Sequence, residues 1–497
     1  MATDSTTVLH VEAPATGATI QEVPVADATE VRALAERARR AQVAWAAASF
    51  EERGEVFRRA RRWLAGNGER MRRTICAETG KTDDDAQLEL TVAMQSFGFW
   101  AKRAKGYLAE DRFRTFSPMV LGRRVAVRYE PFGLVGVIGP WNYPLVNAFG
   151  DCVPALMAGN AVILKPSEVT PLTALLTAEM LADCGLPPGV FTVANGARET
   201  GEAVVDVSDY VMFTGSTRTG QAVMERAART VTPVSLELGG KDAMIVCADA
   251  DIERAANAAA FSALCNSGQV CISIERIYVE AAVHDRFVAR VAEIVRGLRQ
   301  GAADGPGSVE VGAVTHPPQL EIIRRHVEDA LAKGARALTG GGPRPGAGRF
   351  FEPTVLVDVD HSMACMTEET FGPTVPIMRV ADVDEAIRLA NDSPYGLQGS
   401  VFTRDRRKGE AIARRMQCGA VCVNDALVNY MVFDAPMGGW KTSGVGSRHG
   451  ATGIRKYCRT QTILGSGPPL RRDLHHFPYA GWRSRMMAEV VRRIYGR

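Results

Sequence analysis

Four short segments of the chain contain residue types that could take part in catalysis. In NSGQVC, residues 266–271, a thiol follows a polar turn of small residues. Such neighbours could leave the sulfur of Cys271 accessible, and backbone amides beside it could hold an oxyanion. The chain has ten cysteines, and a small buried thiol is the commoner role for any one of them. This argument alone does not choose among the ten.

Two further segments offer a proton acceptor and a hydrogen-bond donor. In LELGGKD, residues 236–242, Glu237 lies among apolar residues, and burial would raise the pKa of its carboxyl group toward neutrality. In PWNYP, residues 140–144, the amide of Asn142 is fixed beside a proline and could donate to a developing oxyanion. Taken singly, each has a plainer interpretation: a carboxylate in a salt bridge at a strand end, and an ordinary turn asparagine.

The fourth segment could bind phosphate. FTGSTRTG, residues 213–220, stands where a strand should end and a helix begin. Glycines there let the backbone approach a ligand, and the exposed N–H groups of the helix start attract anions. A simple helix cap is the commoner explanation of such a string.

The surrounding chain predicts an α/β fold in at least two lobes. Apolar residues recur at helical spacing through residues 27–110, and strands and tight turns begin near residue 120. Short apolar runs such as NAVILKP and DAMIVCAD then alternate with helices, a pattern typical of parallel sheets covered on both faces. The alternation restarts after Asp251, so residues 251–440 are interpreted as a second α/β lobe.

Composition excludes several classes of protein. A net charge of +3 over 497 residues gives no basis for nucleic-acid binding. The N-terminus has no signal-peptide pattern, and no apolar run is long enough to span a membrane. The scattered cysteines and histidines predict neither a disulfide scaffold nor a metal site. A cytoplasmic location is expected.

Taken together, eight motifs resemble those of the aldehyde dehydrogenase superfamily in order and spacing. They cover residues 140–444 and are PWNYP, GNAVILKPSEVTP, FTGSTRTG, LELGGKD, GQVC, EETFGP, NDSPYGL and PMGGWKTSG. The resemblance implies that the Cys271 thiol attacks an aldehyde, that hydride passes to a nicotinamide, and that water hydrolyses the thioester. It assigns Glu237 as general base and Asn142, with the backbone N–H of Cys271, as oxyanion holder.

The same resemblance implies a set of cofactor-binding residues. They are Trp141, Lys165, Glu168, Gly215, Ser216, Gly220, Glu369 and Phe371. Lys165 and Glu168 would meet the adenosine ribose, and the three residues that follow them would form the pyrophosphate turn. A 2′-phosphate beside the Glu168 carboxylate would be repelled, so NAD is expected as cofactor in preference to NADP.

The family architecture implies a Rossmann-type cofactor domain, an α/β catalytic domain and a small β oligomerisation arm. The expected boundaries are 1–112 with 132–239 for NAD binding, 240–445 for catalysis, and 113–131 with 446–466 for the arm. A homodimer or homotetramer is expected. Residues 467–497 form a tail whose stripe of Trp482, Met486, Val490 and Ile494 predicts an amphipathic helix. Its polar face is predicted to carry Arg483, Arg485, Arg492 and Arg493. The helix is expected to dock on the oligomer, with weak membrane contact as the alternative.

Substrate class follows from the residues expected to line the tunnel. GQVCISIERIYVE and SGVGSRHG look most like a mycobacterial-type branch called succinate-semialdehyde dehydrogenase. The characterised enzymes of that name hold the distal carboxylate with two arginines, whose matching positions here are Gly150 and Cys265. The other tunnel positions are Tyr143, Asn147, Met431 and Met437. A hydrophobic aldehyde, aliphatic or aromatic, is therefore predicted, with succinate semialdehyde as the alternative.

Three rival functions remain open on sequence grounds. A CoA-acylating enzyme of this family typically lacks the base found here at Glu237. A thiol hydrolase or transferase would leave Glu168, Glu369 and FTGSTRTG without a role. A non-catalytic structural protein of the same fold would not need Cys271, Glu237 and Asn142 intact.

Overall fold

The computed structural model describes residues 7–115, 120, 123–466 and 476–496. The strands are β1 Val8–Glu12, β2 Thr19–Pro24, β3 Asp111–Phe113, β4 Arg124–Pro131, β5 Leu134–Ile138, β6 Ala161–Lys165, β7 Phe191–Val193, β8 Tyr210–Thr214, β9 Val234–Glu237, β10 Asp242–Val246, β11 Ile274–Glu280, β12 Arg336–Ala337, β13 Thr354–Val357, β14 Thr374–Val380, β15 Tyr395–Gly396, β16 Gln398–Phe402, β17 Ala420–Val423, β18 Trp440–Lys441, β19 Gly444–Val445 and β20 Cys458–Gly465.

The α-helices are α1 Ala28–Ala47, α2 Phe50–Thr79, α3 Asp83–Tyr107, α4 Cys152–Met157, α5 Leu172–Asp183, α6 Arg198–Val207, α7 Thr217–Ala228, α8 Ile252–Leu264, α9 His284–Arg296, α10 Pro317–Ala332, α11 Ala364–Thr367, α12 Val383–Asn391, α13 Arg406–Ala413, α14 Gly450–Arg455 and α15 Gly481–Tyr495. A π-helix covers Pro144–Phe149, and short 3₁₀ turns cover Cys265–Gly268 and Val428–Met431. Helices α1 to α3 confirm the prediction for residues 27–110.

Capping residues mark where the first two long helices begin. Asp27 and Glu30 form a reciprocal capping box at α1, and Ser49 and Glu52 form one at α2. Each box satisfies backbone N–H groups that a helix start otherwise leaves unpaired. Gly80, in the left-handed region at φ 72°, ends α2.

One compact unit, residues 1–108 and 131–459, contains two mainly parallel sheets. The first has the order β19-β9-β8-β5-β6-β7, in which only the short β19 is antiparallel. Helices α1, α6 and α7 bury apolar side chains on it, which accounts for the fully buried strands β5, β6 and β8. The chain places β6 and β7 on one side of β5, and then β8 and β9 on its other side. In open α/β sheets, ligands bind outside the carboxyl ends of the strands at such a change of side.

The second sheet has the order β12-β13-β14-β11-β10-β16-β17 and is parallel except for β12. Alternate residues of β10 enter different cores: Ala243 and Ile245 lie in one, Met244 and Val246 in the other. Side chains of a strand point alternately to opposite faces, so both faces are covered. The predicted two-lobed α/β class is confirmed.

A second unit comprises residues 109–130 and 460–497. The sheet β20-β4-β3 confirms the expected returning strand, and β20 is exposed along nearly its whole length. The predicted amphipathic helix is present as α15, with exposed Trp482, Val490 and Ile494. Arg483 departs from the predicted polar face: its side chain is buried and donates to the carbonyl of Pro478. Residues 446–459 belong to the first unit by their contacts, and the expected domain boundaries stay predictions.

Candidate active site

Glu237 lies at the carboxyl end of β9, between β8 and β19. Its side chain is buried, and its Oε1 has no hydrogen-bond partner among the described residues. Burial raises the pKa of this carboxyl group to about 7, although Arg448 and Lys456 oppose the shift. The group can therefore exchange a proton near neutral pH, as the sequence predicted.

Cys271 follows an unusual backbone turn after α8. Asn266, Ser267 and Gly268 adopt positive φ values of 48°, 57° and 73° in succession. The first two lack the freedom of glycine, so the surrounding contacts must hold this turn. Burial raises the pKa of the Cys271 thiol to about 12, although its side chain keeps partial exposure. The thiol is protonated at neutral pH and needs a base to become a nucleophile.

The Asn142 side chain lies against the turn that carries the thiol. Its Nδ2 donates to the carbonyl oxygen of Gln269 at 2.9 Å, and an amide nitrogen has a second hydrogen to donate. The carbonyl oxygen of Asn142 accepts from Asn266 Nδ2 at 3.1 Å and from Lys81 Nζ at 2.9 Å. The two loops are thus bonded together, although they belong to different sheets.

Apolar side chains surround the thiol. Tyr143, Val270 and Met437 belong to the same cluster as Cys271. Asn147 is buried and accepts a hydrogen bond from the Tyr430 hydroxyl at 2.8 Å, whereas Met431 is exposed on the turn Val428–Met431. Three of the four predicted tunnel residues therefore lie in or beside the packed region.

The predicted cofactor residues line the carboxyl edge of the first sheet. Lys165 ends β6, and its Nζ contacts Glu168 Oε2 at 3.0 Å. Burial opposes ionisation of Glu168, but Lys165, a backbone hydrogen bond and His316 together lower the pKa of the carboxyl group. Gly215 follows β8, and Ser216 caps α7 through a bond from Thr219 N at 3.3 Å. This is the position where a helix N-terminus receives a pyrophosphate.

Gly220 and Glu369 complete the predicted set on either side of this edge. A Cβ on Gly220 would lie 2.5 Å from Leu238 Cδ2, so a larger residue here would require the Leu238 side chain, just after β9, to move. Gly240 N donates to Glu369 Oε1 at 2.9 Å, and burial raises the pKa of Glu369 to about 8. A carboxyl group of this kind can hydrogen-bond a ribose hydroxyl.

Trp141 and Phe371 meet edge to face across the two lobes. Their ring centroids are 5.3 Å apart at 85°. Glu275 holds the Phe371 loop, because its carboxylate accepts from Thr370 N and Phe371 N, each at 2.7 Å. Lys241 pairs with Glu275 at 2.6 Å. The residues present fit a dinucleotide with a nicotinamide at this junction.

Several charged residues of the site were missed by sequence reasoning. They are Lys81, Glu89, Asp151, Glu275, Arg448 and Lys456. Only some of them carry a signal: Asp151 in NAFGDCVPALMAG and Glu275 in CISIERIYV are charges inside apolar stretches, whereas the segment ETGKTDDD around Lys81 is polar. A single sequence shows such a charge but not the partner that compensates it.

One cavity of about 20 Å³, enough for a single water molecule, lies beside this region. Its walls combine apolar side chains with buried charges. Val92, Trp100, Val146, Tyr430 and Phe433 supply the apolar part, and Asp151, Arg448, His449 and Lys456 supply the polar part.

A search of the described helices for a membrane-spanning segment, which must be both long and apolar, finds none.

Comparison with known proteins gives one consistent result. Residues 1–463 match the aldehyde dehydrogenase family. A protein of Mycolicibacterium smegmatis named a putative succinate-semialdehyde dehydrogenase (NADP+) is 43% identical over 92% of this chain and 89% of its own length. The 4,4'-diapolycopene aldehyde oxidase of a Methylomonas species is 39% identical over 95% of this chain and 89% of its own. Lactaldehyde dehydrogenase from Escherichia coli superposes with a TM-score of 0.88 at 32% identity, over 94% and 97% of the two chains.

Proposed function

Because the chain belongs to the aldehyde dehydrogenase family and oxidises aldehydes to carboxylic acids with NAD(P), we propose that Cys271, Glu237 and Asn142 carry out this reaction. The observation that supports the proposal most directly is the buried carboxyl group of Glu237, whose pKa is raised to about 7, in a site that also holds the partly exposed, protonated thiol of Cys271. Such a carboxyl group is half ionised near pH 7 and can take the thiol proton.

Each residue then has a defined step. Glu237 accepts the proton of Cys271, and the sulfur adds to the aldehyde carbon. The free N–H of Asn142, together with the backbone N–H of Cys271, stabilises the oxyanion that forms. A nicotinamide held beside Trp141 and Phe371 would supply the hydride acceptor for this carbon. After releasing the first proton to solvent, Glu237 takes a proton from the water that hydrolyses the resulting thioester and passes it to the departing sulfur, which returns the thiol and releases the acid.

For the cofactor we propose NAD in preference to NADP. The ionised carboxylate of Glu168, held at 3.0 Å by Lys165, accepts ribose hydroxyl donors and repels a 2′-phosphate. The relatives named for NADP(+) favour the opposite choice. NADP could bind if the Glu168 side chain turned away and Lys165 paired with the 2′-phosphate. Comparison of kcat/KM for the two cofactors tests the choice.

For the substrate we propose a hydrophobic aldehyde. The cluster around Cys271 is apolar, and the buried cations Arg448 and Lys81 are committed to Asp151 and Glu89. A Cβ on Gly150 would lie 2.0 Å from the Val146 carbonyl oxygen, so this position has no room for a carboxylate-binding arginine. The relative named for diapolycopene aldehyde acts on a compound of this hydrophobic class.

Succinate semialdehyde is the second candidate. It is favoured by the name of the Mycolicibacterium relative and by Lys456, a buried cation on the cavity wall that could receive a carboxylate. A panel of straight-chain aldehydes, aromatic aldehydes and succinate semialdehyde, followed by absorbance of the reduced cofactor, distinguishes the candidates. Highest kcat/KM for succinate semialdehyde would reject the hydrophobic assignment.

We propose a homodimer or homotetramer built through the sheet β20-β4-β3. The exposed Ile463 and Leu464 of β20 give this sheet an apolar edge suited to a second subunit. Helix α15 is proposed to dock on such an oligomer with Trp482, Val490 and Ile494, while weak contact with a membrane surface is the alternative.

A further inference from the structure

A buried pair of opposite charges lies behind the carboxyl group of Glu237. Arg448 Nε donates to Asp151 Oδ1 at 2.9 Å, and Nη2 donates to Asp151 Oδ2 at 2.7 Å. Nη2 also donates to the Thr214 hydroxyl. Both charged side chains are less than 8% exposed. This two-pronged contact fixes the plane of the guanidinium, so Arg448 cannot turn independently of Asp151.

The remaining nitrogen of Arg448 faces the proposed base. Nη1 has no hydrogen-bond partner among the described residues, and it lies 3.8 Å from Glu237 Oε2. Glu237 Oε1 is likewise unpaired within that part of the chain. Leaving buried polar groups unpaired is unfavourable. A small rotation of the Glu237 side chain would bring its carboxylate within hydrogen-bond distance of Arg448 Nη1.

We propose that Arg448 is a positioning residue for Glu237: it receives the carboxylate on Nη1 when the base is ionised, and Asp151 limits its positive charge. This inference rests on the proposed role of Glu237 as base. A lone arginine at this distance would hold Glu237 ionised and make it a weak proton acceptor. Asp151 offsets part of that charge, so the base stays usable near neutral pH.

Other titratable groups also face this cluster. Lys456 follows α14, and burial lowers the pKa of its ammonium to about 8. Burial likewise lowers the pKa of His449 to about 3 and raises that of Cys271 to about 12. Tyr210 and Tyr430 have pKa values raised above their ordinary range, also by burial. His449 titrates far below Glu237 and the other four groups titrate above it, so a shift of the acid limb close to neutral pH reports on Glu237.

Two changes to the pair should move the acid side of the pH profile in opposite directions. Asp151→Asn removes a negative charge, which should lower the pKa of Glu237 and extend activity to lower pH. The double variant Asp151→Asn/Arg448→Gln removes both charges, and because Arg448 has the stronger effect the acid limb of kcat/KM should move up. We expect shifts of about 1 pH unit each way.

Controls separate this effect from loss of structure. Arg53→Gln removes another buried arginine, one that donates to backbone carbonyls near α1, and should lower Tm without moving the acid limb. Arg448→Lys keeps the charge and should leave the limb near its wild-type position even if it lowers Tm. It also supplies the comparison with the double variant should Asp151→Asn alone fail to fold.

The outcomes are distinct. If Glu237→Gln abolishes the acid limb but the two charge variants leave it unmoved, the inference about Arg448 is wrong and the assigned base stands. If Glu237→Gln retains the wild-type acid limb, the base itself is wrong and the inference falls with it. Opposite shifts in the two charge variants would support both.

Discussion

Lys81 Nζ lies 2.7 Å from Glu89 Oε2 in an ion pair with both side chains fully buried. The same nitrogen donates to the carbonyl oxygen of Asn142 and lies 4.0 Å from the centre of the Tyr143 ring. Glu89 Oε1 accepts from Leu145 N and Val146 N. The pair therefore holds the loop that carries the proposed oxyanion donor and the start of the π-helix.

Breaking this pair should damage both stability and catalysis. Lys81→Met leaves the Glu89 charge buried without its partner, which should cost about 3–5 kcal/mol of unfolding free energy. Denaturant unfolding measures the loss, and kcat should fall because Asn142 is no longer held. Lys105→Met, which removes an exposed partner 3.7 Å from Glu51, is the matched control and should change stability by about 0.5 kcal/mol or less. Equal effects of the two changes would contradict this role.

Cys271→Ala should reduce aldehyde oxidation by roughly 10⁴-fold or more, because the nucleophile is removed. Binding of NAD, measured by fluorescence titration, and Tm should stay close to wild type. Cys365→Ala, at a thiol fully buried in a core of the second sheet, serves as the control for losing a sulfur. Turnover that survives in Cys271→Ala, with aldehyde label on a different cysteine, would reject the assignment.

Activity should depend on the ionisation of Glu237. Its pKa is raised to about 7, so the proton-accepting form is lost as pH falls through about 7 and kcat/KM should fall with it. Glu237→Gln cannot accept a proton, and kcat should drop roughly 10²- to 10⁴-fold. Where the change slows hydrolysis of the thioester more than its formation, stopped-flow absorbance should show a burst of reduced cofactor followed by slow turnover. Steady-state turnover equal to wild type would refute the role.

Glu168→Ser should narrow the preference for NAD over NADP. Removing the carboxylate removes its repulsion of a 2′-phosphate and leaves Lys165 able to pair with it. We expect kcat/KM to favour NAD by about tenfold in the wild type, equivalent to ~1.4 kcal/mol, and by less in the variant. Glu179→Ser, at a surface carboxylate paired with Arg70, is the control. A wild-type preference for NADP would overturn the proposal.

Deletion of residues 470–497 tests the role of helix α15. If its exposed apolar side docks on a neighbouring subunit, the truncated protein should show a smaller mass or a lower Tm by light scattering and calorimetry. Co-sedimentation with liposomes of anionic lipid should be unaffected. Loss of liposome binding at unchanged mass and Tm would instead identify a membrane contact and reject docking.

Most of the confirmed predictions concern helices and strands, which depend on residues close together in the sequence. The apolar runs that became β6 and β10 were recognisable, because strands buried on both faces are mainly apolar. Helix α15 was recognisable from its periodicity, but Arg483 was misplaced because a hydrogen bond to Pro478 turned its side chain inward.

The charges around the site could not be predicted because their partners are distant in the chain. Asp151 and Arg448 are separated by 297 residues, and Glu275 meets the Phe371 loop 96 residues later. The positive φ values of Asn266 and Ser267 could not be predicted either, because neither residue type by itself specifies that backbone conformation. Such features arise only when the two lobes are assembled.

Because Pro144–Phe149 form a π-helix, the arrangement of the residues after it depends on the number of residues in this segment more than on their types. It contains bonds over five residues, from Ala148 N to Tyr143 O at 3.3 Å and from Gly150 N to Leu145 O at 3.0 Å. Deleting one residue would convert it to an ordinary helical turn and rotate everything after it by roughly 100°. Asp151 would then face away from Arg448. An alignment gap in this segment would thus mark homologues whose active-site charges are arranged in another way.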